Sequence, residues 1–155
     1  MVELGEIRQG LAEIEANLAR LGAFPFRDTF LSPAYLRAGL PDHAISAVHQ
    51  ALAEERGRNQ DSILYRVKGD AILTRDPSAI SEAEACYRKA IEIARGQSAK
   101  WFELRATTSL ARLLDKQGKR DEARAMLAEI YGWFTEGFDT ADLKDAKALL
   151  DELTA

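Results

Sequence analysis

The chain has 155 residues, 46% of them apolar and 30% charged, with a formal charge of −4, the make-up of one folded domain rather than of a disordered segment. Its acidic and basic residues are interleaved, so no continuous positive surface is offered to phosphates and nucleic acid is not an expected partner. Cys86 is the single cysteine, the amino terminus carries charges too early for a signal peptide, and no run approaches the roughly 18 apolar residues of a membrane span; a cytoplasmic protein with no disulfide, no thiolate metal cluster and no membrane contact is expected.

Leu4, Ile7, Leu11, Ile14, Leu18 and Leu21 fall in steps of three and four, which predicts an amphipathic helix ending near Gly22. A second helix is expected from about Phe26 to Ala38; Pro33 lies inside it, so it is either kinked or starts late with Ser32 as cap. Gly39 and Pro41 mark a turn, and Asp42 is placed to cap a helix carrying Ile45, Val48 and Leu52 as far as Gly57. The next helix starts at Asp61 or Ser62 and carries Leu64, Val67, Ala71 and Ile72. In RDPS, Asp76 is the expected cap and Pro77 the first helical residue of a helix with Ile80, Ala83, Tyr87, Ala90 and Ala94, stopping at Gly96. Ser98 is the expected cap of a helix to about Gln117, stopped by Gly118, and KRDEARAMLAEIY returns to Gly132. A last helix, capped by Asp139 or Thr140, carries Leu143, Ala146, Leu150 and Leu153. No strand pattern competes, so the fold is expected to be all-α.

One pattern recurs. Ala44, Val48 and Ala51 match Ala83, Tyr87 and Ala90, and then Ala123, Leu127 and Ile130; Ile7 with Gly10 fit one further unit upstream. A fixed period of helix, short turn and helix points to a stack of repeats. The units are helix pairs at 26–57, 61–96 and 98–132, preceded by an orphan helix at 1–22 and followed by a helix at 139–153. An open apolar end needs covering before a stack can stop, so the aromatic bend YGWFTEGFDT is expected to seat Trp133, Phe134 and Phe138 on the last pair while Gly132 and Gly137 allow the reversal.

The small-x-x-x-large-x-x-small pattern resembles the tetratricopeptide repeat. LARLLDKQGKRDEARAML supplies Leu110, Ala111, Leu114, Gly118 and Ala123 in the family spacing, and Gly69 takes the small position of a first helix. The resemblance implies a right-handed superhelix of antiparallel helix pairs closed by a capping helix. Residues 84–153, through ELRA, YGWFTEGFDT and LKDAKALLDEL, are similar to the carboxy-terminal repeats of bacterial signalling proteins that carry a class III adenylate or guanylate cyclase domain or a STAND-type ATPase. That similarity implies a piece of a larger regulator, without its catalytic regions. The chain opens on what reads as a second helix, and the stripe from Leu4 to Leu21 is expected to seek a second copy.

No catalytic constellation is expected. His43 and His49 are six residues apart, about 240° around a helix, so they do not share a face as metal ligands would. Cys86 beside Tyr87 reads as a buried, inert thiol. Asp121 with Glu122 and Asp139 with Asp142 occupy first turns, where carboxylates offset the helix dipole. In tetratricopeptide proteins first helices line the concave wall, and the matching positions are Arg66, Asp70, Arg105, Thr108, Arg112 and Asp115. Arg66, Arg105 and Arg112 suit an acidic segment or a peptide carboxylate. The expected role is therefore a non-catalytic protein-interaction or regulatory scaffold without a cofactor; the alternative is a small-molecule sensor whose interior ligand regulates an attached domain.

Overall fold

The structure, a computed structural model, describes residues 2–20, 27–53 and 60–155. Among them are eight helices and no strand: α1 (Val2–Arg20), α2 (Arg27–Arg37), α3 (Pro41–Ala53), α4 (Asp61–Arg75), α5 (Ile80–Gly96), α6 (Lys100–Lys116), α7 (Arg120–Tyr131) and α8 (Ala141–Thr154). Among the described residues no helix is long and apolar enough to cross a membrane. The expected helix ends at Gly22 and Gly57 and the expected start at Phe26 lie outside the described residues, as do the side chains of Leu4 and Leu21.

Every helix packs on the next, and α2, α4, α6 and α8 also touch in that order. Ser62 at the start of α4 donates to the Ala90 carbonyl near the end of α5 at 2.9 Å, and Gln117 just past α6 donates to Glu84 near the start of α5. Consecutive helices there run antiparallel. Arg88 and Arg95 of α5 meet Glu122 and Glu129 of α7 at 2.8 and 3.7 Å, both pairs 34 positions apart, so these next-but-one helices run parallel. One layer of α2, α4, α6 and α8 is thereby backed by α3, α5 and α7.

The recurring small and large residues make this packing. Ala44, Ala83 and Ala123 are sealed from solvent, and Val48, Tyr87, Leu127, Ala51, Ala90 and Ile130 are buried with them. At Gly69 a Cβ would stand 2.6 Å from the Tyr87 ring, nearer than carbon atoms can approach, so the absence of a side chain is what lets α4 and α5 close.

Three helix ends share one backbone solution. Gly39, Ser98 and Gly118 have φ of 72°, 55° and 75°. The N–H groups that follow them, on Leu40, Ala99 and Lys119, bond back to the carbonyls of Tyr35, Ala94 and Leu114 at 2.8–2.9 Å, which satisfies acceptors the ending helix leaves free. Thus α5 turns at Ser98, in a conformation that suits glycine, while Gly96 remains helical.

The helix starts differ from expectation. Ser98 turns α5 rather than capping α6, whose first flanking residue is Ala99. Asp76 closes α4, its N–H donating to the Ile72 carbonyl, and does not cap α5: its Oδ1 accepts from the Ser78 amide and hydroxyl at 2.9 and 2.7 Å, holding a turn that delays α5 to Ile80. Thr140 stands at the cap position of α8, yet its hydroxyl donates backwards to the Gly137 carbonyl at 2.7 Å. α2 runs through Pro33. Proline has no N–H for the Thr29 carbonyl four residues back, and the Ser32 hydroxyl donates to that oxygen instead, at 3.4 Å.

The aromatic bend is anchored by one ring of the three expected. Phe134 packs on the core and edge-on to Trp101, ring centres 5.5 Å apart. Trp133 is 57% exposed and Phe138 45%. Gly137, at φ 79°, makes the reversal, whereas Gly132 has the ordinary helical φ of −66°.

Candidate functional site

α4 and α6 lie side by side in the layer that α8 extends, and their arginines gather where the three meet. Arg105, Thr108 and Arg112 are three and four residues apart, so they occupy one face of α6. With Arg66 of α4 they border a cavity of about 200 Å³, which Ser109 and the α8 residues Asp142 and Asp145 complete. A smaller recess lined by Ser62, Ile63, Phe102 and the same Arg66 and Arg105 lies beside it towards the starts of α4 and α6.

Each arginine holds an acid. Arg105 reaches Asp142 at 2.8 Å, Arg112 reaches Asp145 at 2.5 Å, and Arg66 reaches Asp70, one turn along α4, at 2.8 Å. Because Arg105 and Arg112 meet Asp142 and Asp145 in the same order, α8 runs parallel to α6, as a further first helix of the stack would.

Four of the six expected residues, Arg66, Arg105, Thr108 and Arg112, therefore border one cavity, and Asp70 and Asp115 do not line it. Thr108 is buried and its hydroxyl donates to the Leu104 carbonyl at 2.8 Å, so it supplies wall rather than a free donor. Asp70 lies behind the arginines, where Tyr87 donates to its Oδ1 at 2.7 Å. Burial pushes the Asp70 carboxyl up, against the pull of Arg66 and Tyr87, and burial beside that carboxylate drives the Tyr87 phenol strongly upward. Nothing in the spacing of Asp70 and Tyr87 signals this link, because it joins two helices.

A second buried charge escapes the sequence in the same way. Glu103, in the first turn of α6, is 2% exposed and accepts from Arg95 Nε at 2.6 Å and Lys100 Nζ at 2.8 Å. Burial pushes its carboxyl up, but the hydrogen bonds and charges of Lys100 and Arg95 outweigh this and hold it below the usual glutamate value. On the opposite layer, Arg88, Ile91, Glu92, Arg95 and Met126 line an open groove of about 310 Å³ between α5 and α7.

Other candidates for chemistry are dispersed. Among the described residues no group of three or more His, Cys, Asp or Glu is placed to hold a metal ion. His43 lies against the Tyr35 ring at 5.5 Å between centres, and both histidines are exposed. Cys86 is buried, and burial pushes its thiol up, away from the reactive thiolate. Comparison of the chain with protein-family models, with curated proteins and with solved structures gives no match in any of the three.

Proposed function

We propose that this chain is a non-catalytic interaction module: a right-handed tetratricopeptide-like superhelix whose α4–α6–α8 face receives an acidic protein segment, serving as a cytoplasmic regulatory scaffold within a larger signalling protein of the cyclase or STAND-ATPase kind. The observation that carries this reading is the meeting of Arg66, Arg105 and Arg112, from two helices, around one polar cavity. Guanidinium groups present planar pairs of donors suited to carboxylates. The contact of α2, α4, α6 and α8 in sequence supports a superhelix of first helices, and Ile14 of α1, 46% exposed, offers a second copy a surface at the other end.

Arg105→Ala combined with Arg112→Ala tests the reading. A protein retained from lysate by the wild-type chain through an acidic segment is retained at least tenfold less by the variant, at unchanged melting temperature; equal retention defeats the proposal. The size of the cavity, about 200 Å³, also favours a second reading, a sensor for a small anionic compound. That reading requires a copurifying compound, or a rise in melting temperature with added ligand that the arginine substitutions remove.

A further inference from the structure

The arginines of this groove are occupied by the chain itself. Asp142 and Asp145 belong to α8, whose Leu143, Ala146, Leu149 and Leu153 are buried in the core, so the helix stays in place whatever its polar side chains do. Their bonds are nonetheless incomplete. Arg105 directs both Nε and Nη2, at 2.9 and 2.8 Å, to a single oxygen of Asp142. Arg112 reaches one oxygen of Asp145 through Nη2. Neither pair is the two-oxygen fork that makes arginine–carboxylate contacts strong, and Arg105, Arg112 and Asp145 are exposed, where such pairs are weak and exchange with solvent. Arg66 completes the lining, and its own acid, Asp70, does not line the cavity. Each of the three guanidinium groups thus already holds one carboxylate, two of them from α8.

We propose that Asp142 and Asp145 are built-in competitors for the groove, and that its occupant is an acidic peptide bearing several spaced carboxylates, which displaces them from Arg105 and Arg112 while α8 remains docked. The inference rests on the acidic-segment reading above. Spaced carboxylates are favoured over one compact dianion because the donors are spread over two turns of α6 and the internal ligands are two separate acids. The net charge of −4 works against indiscriminate capture of polyanions, so binding of an acidic probe reports the local site.

The test titrates fluorophore-labelled hexaglutamate into the full chain at low salt and follows anisotropy. Asp142→Asn with Asp145→Asn strengthens binding roughly tenfold, the scale of two exposed ion pairs, and Arg105→Ala with Arg112→Ala abolishes it. Asp145→Asn alone leaves the first-turn carboxylate of α8 intact and gives a smaller strengthening at unchanged melting temperature. Wild-type binding that the arginine substitutions remove, but that neither asparagine variant strengthens, overturns the competitor role and leaves the acidic-segment reading standing. Failure of every variant to bind overturns both. Displacement of hexaglutamate by inorganic phosphate at equal charge overturns the peptide as occupant in favour of a compact dianion.

Discussion

α1 and α8 flank the same body of helix pairs, and both carry apolar residues three and four positions apart. On α8 the stripe is swallowed: Leu143, Ala146 and Leu153 join the core that runs back through α5, and Leu149 joins them in place of the expected Leu150, which is half-buried against it. On α1 it meets a small separate cluster around Leu31 and Ala38, in which Leu11 is the one buried residue among the described side chains of α1 and Ile7 and Leu18 are half-covered, while Ile14 is 46% exposed. Polar tethers add to this contact, Arg8 donating to the Ala38 carbonyl at 3.3 Å and Tyr35 to Glu15 at 2.5 Å. Periodicity states which face of a helix is apolar; how much of that face is covered depends on the neighbour. α8 finds both α6 and α7, whereas α1 touches α2 by a thinner contact.

The largest expected effect follows from that contrast. Leu143→Ala or Leu149→Ala removes a fully packed side chain and costs about 2–5 kcal/mol of unfolding free energy. Ile14→Ala, half in water, changes it by less than about 0.5 kcal/mol. Chemical denaturation of the three variants decides the matter. Comparable losses at both ends mean that α1 is buried as deeply as α8.

Residue size survived the passage from sequence to structure better than residue polarity. The alanines at 44, 83 and 123, and the glycine at 69 beneath Tyr87, are dictated by how near two backbones come, so the need for a small residue is written in the residue itself. Polar residues have several ways to be satisfied, and the choice is made by the turn or by another helix. Asp76 reads as a cap and holds Ser78; Ser98 reads as a cap and turns a helix; Glu103 carries no local signal and is buried between two cations. The groove divides along the same line. Its arginines stand at positions that the tetratricopeptide resemblance implies, but their counter-ions do not: Asp142 reads as a dipole partner, and Asp145 has no local signal, because both pairings arise only when α8 lands parallel to α6.

Charge sharpens the comparison, because the α8 side of the body contains a buried carboxylate whose partners are both at hand. Glu103→Gln keeps one acceptor oxygen but removes the charge and turns an NH2 donor towards one of the two cations, Arg95 or Lys100, and costs about 1–3 kcal/mol near neutral pH. Since the folded Glu103 carboxyl titrates below its unfolded value, its contribution is fully present above the ordinary glutamate value of about 4.3 and is lost as the pH falls through the lower folded value. Asp70 acts with the opposite sign: its raised carboxyl favours the folded state below the ordinary aspartate range and loses that advantage as the pH rises through the folded value. Stability curves of wild type and Glu103→Gln, measured from neutral pH into acid, therefore converge as the pH falls. A gap of constant size assigns the loss to packing instead of charge.

The smallest expected effect probes α1 directly. Burial, together with the hydrogen bond and charge of Glu15, pushes the Tyr35 phenol up to about 12. A raised phenol stabilises the folded state while it is protonated, so the Tyr35 contribution is complete below the ordinary tyrosine value of about 10 and is lost as the pH rises through about 12. Tyr35→Phe costs about 0.5–1 kcal/mol at neutral pH. In an alkaline absorbance titration of the four tyrosines, Tyr35 and Tyr87 ionise late, and Tyr35→Phe removes the step near 12. Glu15→Gln removes the charge without displacing the ring, and returns that step part of the way towards the ordinary value. If Tyr35 instead ionises near the ordinary tyrosine value of about 10, α1 is not seated on α2 in solution, and the difference between the two ends becomes one of attachment rather than of depth.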